Sequence, residues 1–314
     1  MQKLGSCARA GDSSLRILHV DTGRELRGGQ LQALLLIEGL REAGHECLVL
    51  ARPATPFWQA AQEKDFPVWP ATLMNLFQAS DRADLLHAHD ARAHTLAALA
   101  SKIPFVVSRR VAFPPGRSFA TAWKYRKAKR FIAVSRYVAN QLQAANVPPE
   151  KIDIVYDGVK QCDRPVAWNP SGPVVALATR DRQKGRDLIE EAARMVRKPV
   201  IFSHTLAHDL VGASLFVYIS RAEGLGSAAL LAMSMGIPVI ASRVGGLPEV
   251  ILDGASGILV QNKPEEIAQA ISRLCEDTAL AQSFIQASLA RVAAFFSLEN
   301  LIQGTLACYR RALA

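Results

Sequence analysis

The sequence predicts an α/β protein built from two halves, each a parallel sheet with helices on both faces. Short apolar segments with strand character alternate with segments whose apolar residues recur at helical spacing, a pattern typical of βαβ units. The alternation stops once, at the segment Asp163–Gly172, which contains two prolines and a glycine, and then restarts. A chain of 314 residues, half of them hydrophobic, is long and apolar enough for two cores.

The first half begins with the apolar strand Leu15–Asp21 and a glycine-containing loop. The helix that follows carries its leucines on one side and ends at Gly44. The further predicted strands are Cys47–Ala51, Pro67–Trp69, Asp84–Ala88, Pro104–Ser108, Phe131–Ser135 and Ile152–Tyr156, and the predicted helices are Gln30–Ala43, Pro56–Lys64 and Tyr137–Ala145, with an alanine-rich stretch at Ala91–Ser101.

The second half repeats this alternation and ends in a helical tail at 278–314. Its predicted strands are Pro173–Ala178, Pro199–Ser203, Leu215–Ile219, Ile237–Ala241 and Ile258–Val260, and its predicted helices are Arg186–Met195, Ser227–Met235, Pro248–Leu252 and Pro264–Glu276. We therefore expect a first lobe at 1–163, a second lobe at 164–295 and a last helix at 296–314.

Several classes of protein are excluded or disfavoured by composition. A chain this apolar is not a disordered tail protein. Its apolar runs are shorter than the roughly 18–20 residues of a spanning helix, and residues 1–14 lack the apolar core of a signal peptide. The five cysteines have no metal-binding spacing and are expected to be reduced. We therefore expect a soluble, cytoplasmic protein.

The positive charge is concentrated in the first half of the chain. The formal net charge is +9, and no acidic residue occurs between Asp90 and Glu150. The second half is close to neutral. A basic surface of this kind indicates a polyanionic partner: a nucleic acid, an anionic lipid or a phosphorylated substrate.

The segment Ser220–Val250 has the composition of a ligand-binding strand–loop–helix unit. Glu223 follows a predicted strand, and ligands of doubly wound sheets bind beyond the carboxyl ends of strands. Gly224 and Gly226 allow a ligand to approach the backbone, and a helix begins near Ser227. From spacing alone, glycines that merely shape two βα turns are an equally good interpretation.

The same segment resembles a known signature. Glu223-Gly-Leu-Gly, Gly236-Ile-Pro-Val and Val244-Gly-Gly-Leu-Pro-Glu stand in the register of the donor-binding region of family 4 glycosyltransferases. Further likenesses are Gly28–Gly29 before a helix, Gln183-Lys184-Gly185, and the last helix. The resemblance implies the GT-B fold, with two Rossmann-like lobes facing a cleft and a C-terminal helix that crosses back to the first lobe.

The resemblance also implies roles for particular residues. Glu223 would contact the donor sugar with the backbone of Gly224, Leu225 and Gly226, and Lys184, with Arg180 or Arg182, would neutralise the donor diphosphate. Because a departing diphosphate gains negative charge, cations alone can stabilise it. We therefore expect a UDP- or GDP-sugar as co-substrate and no required metal or other cofactor.

In the first lobe the resemblance implies that His89 faces the donor sugar and that Gly28 and Gly29 lie near the diphosphate or the acceptor. A lone histidine at a strand end is more often a packing or surface residue, but this position favours a role for His89. We expect His87, two residues earlier, to point away from His89 and to be structural.

Two positions depart from the family pattern. The family's second glutamate, which holds the nucleotide ribose, falls at Leu231, and no carboxylate lies between Glu223 and Glu249. An apolar side chain cannot accept a hydroxyl hydrogen bond, and losing one to a charged acceptor costs about 1.5–3 kcal/mol. The arginine that precedes the phosphate-binding lysine falls at Thr179. The second lobe is also short.

The stretch 108–137 combines basic and aromatic residues, and residues 118–130 are expected to form an amphipathic basic helix. The basic residues expected to face the acceptor or the membrane are Arg109, Arg110, Lys124, Arg126, Lys127, Lys129 and Arg130. A solvated basic helix and a nucleic-acid surface are the other interpretations, but no nucleic-acid-binding motif accompanies the stretch.

These features together predict a retaining hexosyltransferase of bacterial type. It would move a sugar from a nucleotide sugar to a phosphorylated, lipid-linked or lipopolysaccharide-core acceptor, at the inner face of the plasma membrane and without a nucleic-acid partner. The main alternative, raised by Leu231 and the short second lobe, is a degenerate GT-B scaffold that binds a partner or anionic lipid without catalysis. A nucleotide-sugar epimerase on the same fold is a third, weaker interpretation.

Overall fold

A computed structural model describes residues 14–116, 118–160 and 166–314. The first half forms a seven-stranded sheet with the order β3-β2-β1-β4-β5-β6-β7. Its strands are β1 (Arg16–Asp21), β2 (Glu46–Ala51), β3 (Val68–Pro70), β4 (Leu85–Ala88), β5 (Phe105–Arg109), β6 (Arg130–Ala133) and β7 (Ile152–Ile154), and its helices are α1 (Gly28–Glu42), α2 (Pro56–Glu63), α3 (Leu73–Ala79), α4 (Ala91–Ala100), α5 (Phe119–Lys127) and α6 (Arg136–Gln143).

The second half forms a five-stranded sheet with the order β12-β11-β10-β8-β9. Its strands are β8 (Val174–Leu177), β9 (Val200–Ser203), β10 (Leu215–Tyr218), β11 (Val239–Ser242) and β12 (Ile258–Val260), and its helices are α7 (Arg186–Ala193), α8 (Leu206–Asp209), α9 (Ser227–Ser234), α10 (Leu247–Val250), α11 (Pro264–Glu276), α12 (Thr278–Phe295) and α13 (Leu298–Leu313).

The pairings are parallel wherever the register of two strands is defined, and the central strands are buried on both faces. All four residues of β10 are buried, as are all four of β11. Helices on both sides of a parallel sheet cover both faces, which explains why these strands read as continuous apolar runs. The predicted fold class, two Rossmann-like α/β halves with parallel sheets, is confirmed.

Each sheet reverses its strand order once. In the first sheet the reversal lies between β1 and β4, and in the second it lies between β8 and β10. The loops that leave two such strands diverge to opposite faces and leave a crevice at the carboxyl edge, where ligands of these folds bind. The fold thereby singles out the loops after β1, β4, β8 and β10.

The chain divides into two compact units that do not follow the halves of the sequence. Among the described residues, the first unit contains 14–108, 118–132 and 305–314, and the second contains 109–116, 133–160 and 166–304. The expected boundary between residues 163 and 164 lies outside the described residues.

Several local expectations need correction. The basic helix expected at 118–130 is shorter, because α5 covers only Phe119–Lys127, and no residue in it is buried. The helical tail consists of α12 and α13, separated at Phe296 and Ser297, so the last helix begins at Leu298 and not at residue 296 as expected. Helices α3 and α8 have only seven and four residues, too few to give a periodic pattern. Within the described parts of the chain, no helix combines the length and apolar character needed to cross a membrane.

Candidate functional site

Glu223, Lys184 and Tyr218 form a hydrogen-bonded cluster at the strand-order reversal of the second sheet. Lys184 Nζ lies 2.5 Å from Glu223 Oε2 and 2.8 Å from Tyr218 Oη, and Tyr218 Oη lies 2.5 Å from Glu223 Oε2. Lys184 comes from the loop after β8 and Glu223 from the loop after β10. Two residues predicted to act on the donor, 39 positions apart in sequence, are thus in direct contact.

The cluster is largely enclosed, so its charges depend on one another. The side chains of Lys184 and Glu223 are 25% and 14% exposed. Hydrogen bonds between ionised groups are stronger than neutral ones, and removing one partner of a poorly solvated pair leaves an uncompensated charge. The ammonium of Lys184 and the carboxylate of Glu223 therefore compensate each other's charge.

Tyr218 was missed in the sequence. Burial first, and the neighbouring Glu223 carboxylate second, raise the pKa of its phenol well above the ordinary value. The phenol therefore stays protonated and donates to Glu223. The signal that could have identified it is a hydroxyl on the last residue of an otherwise apolar strand, five residues before a loop glutamate and its glycines.

The glycines around Glu223 pack two loops against each other. Gly246 N donates to the carbonyl of Glu223 at 3.1 Å, and a Cβ on Gly245 would lie only 1.9 Å from the same carbonyl oxygen. Ser135 Oγ donates to the carbonyl of Gly224 at 2.7 Å. Glycine is required here for close approach of backbone to backbone, which holds the Glu223 loop in one place.

The other residues predicted to bind the donor lie directly before α9 or on it. Gly224 N donates to the Glu223 carboxylate at 3.1 Å, Leu225 is buried, and Gly226 has the positive φ of 111° at the helix N-cap. Leu231 lies half-buried on α9. The position that carries a ribose-binding glutamate in the resembled family is therefore apolar here.

A basic groove adjoins Lys184. It encloses about 830 Å³ and is lined by Thr179, Arg180, Asp181, Arg182, Gln183, Arg186, Asp187, Glu190 and Arg221. Arg221 pairs with Asp187, and Arg186 pairs with Glu190. Arg180 and Arg182 are exposed, and neither side chain has an ion-pair partner among residues 14–116, 118–160 and 166–314. These two arginines are available to an anionic ligand.

His89 lies at the strand-order reversal of the first sheet, directly after β4, and is 6% exposed. Its Nε2 lies 3.0 Å from Nδ1 of His19 on the adjacent strand β1. The expectation that His87 points away from His89 is wrong, because their ring centroids are 4.1 Å apart. Side chains two residues apart in a strand share a face.

His87 is structural in its contacts. Its Nδ1 lies 2.7 Å from Tyr309 Oη and its Nε2 lies 2.7 Å from Ser108 Oγ, so both ring nitrogens are hydrogen-bonded. His19, His87 and His89 could present one nitrogen each within 4.8 Å of one another, the one metal-capable group within the described ranges. A metal ion would have to displace the hydroxyl partners of His87. That no metal is required stays a prediction.

The loops on either side of His89 are tied together by Asp90. Its carboxylate accepts hydrogen bonds from the amides of Arg92 and Ala93 and so caps α4, and it also accepts from the amide and hydroxyl of Thr22 after β1. Gly28 and Gly29 are the first two residues of α1, both half-buried. The Asp90 carboxylate thus links the loop after β4, which contains His89, to the loop after β1, which leads into α1.

The structure gives Arg110 a role other than the expected acceptor or membrane contact. Arg110 Nε lies 3.2 Å from Asp157 Oδ1, and the two side chains are only 9% and 8% exposed. Burial raises the pKa of Asp157, and the Arg110 charge opposes that rise. An enclosed guanidinium has no surface left for a membrane.

The other basic residues of this stretch differ in exposure. Arg109 is half-buried and donates to the carbonyl of Phe113. Lys124 Nζ lies 3.2 Å from the carbonyl of Ala91, and Lys127 Nζ lies 2.9 Å from that of Ala98. These two lysines hold α5 against α4. Arg126 and Lys129 are exposed, and Arg130 is half-buried.

Both halves of the chain match models of known protein families. Residues 26–161 match a family model described as Glycosyltransferase Family 4, and residues 175–277 match one described as Glycosyl transferases group 1. Both halves of the chain are thus similar to glycosyltransferase domains. The region that matches the family 4 model contains His89, and the region that matches the group 1 model contains Lys184, Glu223 and Tyr218.

Curated relatives match part of the chain. A D-inositol 3-phosphate glycosyltransferase of Nocardioides sp. is 34% identical over 156 residues, which are 48% of this chain and 34% of the relative. One of Mycobacterium marinum is 36% identical over 150 residues, 47% of this chain and 32% of the relative. The matched part of the chain spans about a third of the length of these relatives.

Solved structures match both domains together. Anabaena HepE in complex with UDP-glucose has a TM-score of 0.83 at 18% identity, over 94% of this chain and 99% of that one. The apo lipopolysaccharide outer core galactosyltransferase WaaB has a TM-score of 0.71 at 14% identity, over 93% of this chain and 99% of that one. At these identities the likeness shows the fold, which is that of GT-B glycosyltransferases.

Proposed function

We propose that the chain is a retaining glycosyltransferase that takes its sugar from a nucleoside diphosphate sugar. The observation that carries this proposal is the Lys184–Glu223–Tyr218 cluster at the strand-order reversal of the second sheet. It places a cation and a carboxylate within one ligand's reach, with Arg180 and Arg182 in the adjoining groove. The fold shared with HepE, which was solved with UDP-glucose, supports the choice of donor.

The chemistry follows from the charges of this cluster. In transfer, the bond between the anomeric carbon and the donor phosphate oxygen breaks, and a bond to the acceptor hydroxyl oxygen forms on the same face. The acceptor proton passes to the departing diphosphate, whose growing charge Lys184 and the groove arginines stabilise. Glu223 accepts hydrogen bonds from sugar hydroxyls, and Tyr218 keeps that carboxylate oriented.

Titration with a panel of UDP- and GDP-sugars tests the donor site. We expect binding by the native chain, and a loss of at least tenfold in affinity for Lys184→Ala, because an ion pair with a diphosphate is worth about 1.5–3 kcal/mol. Lys263→Ala is the matched control, since that lysine is 67% exposed and pairs with the surface residue Glu266. If no nucleotide sugar binds at millimolar concentration, the proposal fails.

For the acceptor we propose a phosphorylated, lipid-linked sugar, bound by the first unit at a cytoplasmic membrane face. The uneven charge of the chain and the exposed side chains of Arg126 and Lys129 support this choice. The fold shared with WaaB is consistent with an acceptor of the lipopolysaccharide-core class. Product analysis with and without such acceptors tests it, and a changed sugar released without acceptor would instead identify an epimerase.

A scaffold without catalysis is the second candidate. The half-buried Leu231 favours it, because this side chain cannot replace a ribose-binding carboxylate. Donor binding with no turnover on any lipid-linked acceptor would support the scaffold over the enzyme.

A further inference from the structure

Among residues 14–116, 118–160 and 166–314, the side chain of His19 has a single hydrogen bond, and that bond is to His89. The imidazole is 1% exposed, and its Nε2 is buried without a hydrogen-bond partner in the parts of the chain that the structure describes. Its Nδ1 lies 3.0 Å from His89 Nε2. A buried nitrogen without a partner is unfavourable, so an aliphatic side chain would suit this strand position better if packing were its only purpose.

The geometry of the two rings is that of a linear hydrogen bond rather than a stacking contact. The ring planes of His19 and His89 differ by 18° and their centroids are 5.3 Å apart. That separation is about the N···N distance plus one ring radius at each end. The two imidazoles are therefore nearly coplanar, edge to edge, with one proton between them.

The strands fix this arrangement. In the parallel register of β1 and β4, His19 stands opposite His87, and His89 follows two residues later on the same face. His87 is itself held by Tyr309 and Ser108 and lies beside the His89 ring. Strand β1 thus fixes the position of His19, and His89 lies in the loop directly after strand β4.

We propose that His19 is a positioning residue that fixes the orientation and the tautomer of His89. A neutral imidazole has one N–H and one lone pair, so a bond between two such rings couples their tautomers. Nε2 of His19 is buried without a partner in the described parts of the chain, so a proton there would be unsatisfied. The His19 proton therefore lies on Nδ1, and His89, which accepts it at Nε2, carries its own proton on Nδ1. Any effect of this arrangement on sugar transfer rests on the proposed function.

Burial keeps the His19 imidazole uncharged, which suits it to orient His89. Desolvation lowers the pKa of its imidazole to about 3, so it carries no charge near neutral pH. A neutral neighbour orients His89 without placing a second positive charge beside it. A lysine or arginine at position 19 could not do this.

Nuclear magnetic resonance of the full chain labelled with ¹⁵N-histidine tests the proposal without any substrate. We expect a scalar coupling across the hydrogen bond between His19 Nδ1 and His89 Nε2, and a single tautomer for His89. The signals are assigned with His19→Asn and His89→Asn. Absence of the coupling, or a His89 ring that averages between tautomers in the native protein, overturns the proposal.

Two variants separate positioning from packing. Asn keeps an amide near the Nδ1 position of histidine, whereas Leu fills the space without a hydrogen bond. We expect His89 to keep one tautomer in His19→Asn and to average in His19→Leu, with thermal unfolding checking that both fold. Equal spectra for the two variants overturn the proposal.

Steady-state kinetics then test whether the His19–His89 hydrogen bond matters for the proposed sugar transfer. We expect His19→Leu to lower kcat by tenfold or more with little change in the donor KM, and His19→Asn to restore most of it. Unchanged kcat in His19→Leu also overturns the proposal. A native chain that shows the coupling but transfers no sugar would refute the proposed function and leave the positioning of His89 standing.

Discussion

At the scale of single residues, the candidate site depends on side chains that pair with one another. Lys184 and Glu223 share a hydrogen bond of 2.5 Å, and Tyr218 donates to the same carboxylate oxygen. On the helix that follows, Leu231 has no polar group in its side chain. The proposed donor site is therefore charged where we expect the diphosphate and apolar where the resembled family holds the ribose.

Replacing Leu231 by glutamate tests whether that end of the site is still used. We expect Leu231→Glu to raise nucleotide-sugar affinity about tenfold or more, because a hydrogen bond to a carboxylate contributes about 1.5–3 kcal/mol. Titration of native and variant chains with UDP-glucose measures the change. Leu231→Gln, which has the same length without the charge, should give a smaller gain. Affinity that falls or stays constant in both would favour the scaffold.

Candidate site residues were predictable from the sequence where they fall in the family's motifs. Contacts between residues on neighbouring strands were not. Glu223 and Lys184 were selected from motifs and lie together as expected. Tyr218 and His19 belong to apolar strands, and their importance appears only once β10 lies beside β8 and β1 beside β4. Arg110 looked like a surface cation because sequence spacing does not reveal a buried partner such as Asp157.

At the scale of elements, two glycine turns packed on each other hold the Glu223 loop. Gly245 has a φ of +56° and faces the carbonyl of Glu223, and the neighbouring Gly246 faces that of Gly224. Sequence spacing left a ligand role and a purely structural role of such glycines equally open, and in the structure this pair holds a loop in place. The bounds of long helices such as α11 were predictable from periodicity. Periodicity did not reveal the break between α12 and α13, because both segments have helix-forming composition, and the resemblance alone placed the last helix from residue 296.

A methyl group at position 245 should disturb the site through this contact. We expect Gly245→Ala to destabilise the fold by the roughly 1–2 kcal/mol of left-handed backbone plus about 1–3 kcal/mol of overpacking, and to weaken donor binding. Gly254→Ala is the matched control, since Gly254 has a φ of +71° and no atom within 4 Å of the added carbon. Urea unfolding and donor titration measure both. Equal effects in the two variants would contradict the bracing role.

At the scale of the whole molecule, charge and chemistry are separated along the chain. The +9 of the sequence comes almost entirely from its first half, while the Lys184–Glu223 cluster lies in a second half that is nearly neutral. The ammonium groups of Lys124 and Lys127 donate to carbonyls of α4, and Arg126 and Lys129 are exposed. We therefore propose Arg126 and Lys129 for the contact with a membrane.

Binding to lipid vesicles tests whether Arg126 and Lys129 contribute to a membrane-binding surface. We expect the double variant Arg126→Gln, Lys129→Gln to bind vesicles with anionic lipid about thirtyfold more weakly, since each basic group contributes about 1 kcal/mol at such a surface. Binding of UDP-glucose should not change. Arg194→Gln with Arg197→Gln removes the same charge from exposed positions in the second unit and serves as the control. A loss of equal size in both pairs would rule out a specific membrane face.

The internal pairing of Lys184 with Glu223 also determines which anions can compete for the site. A small ion such as inorganic phosphate can satisfy the ammonium only by stranding the carboxylate, so the exchange gains it little. A sugar joined to a diphosphate offers an anion to one partner and hydroxyl donors to the other, and so replaces both halves of the pair at once. We therefore expect inorganic phosphate to compete only weakly with a nucleoside diphosphate sugar for this site.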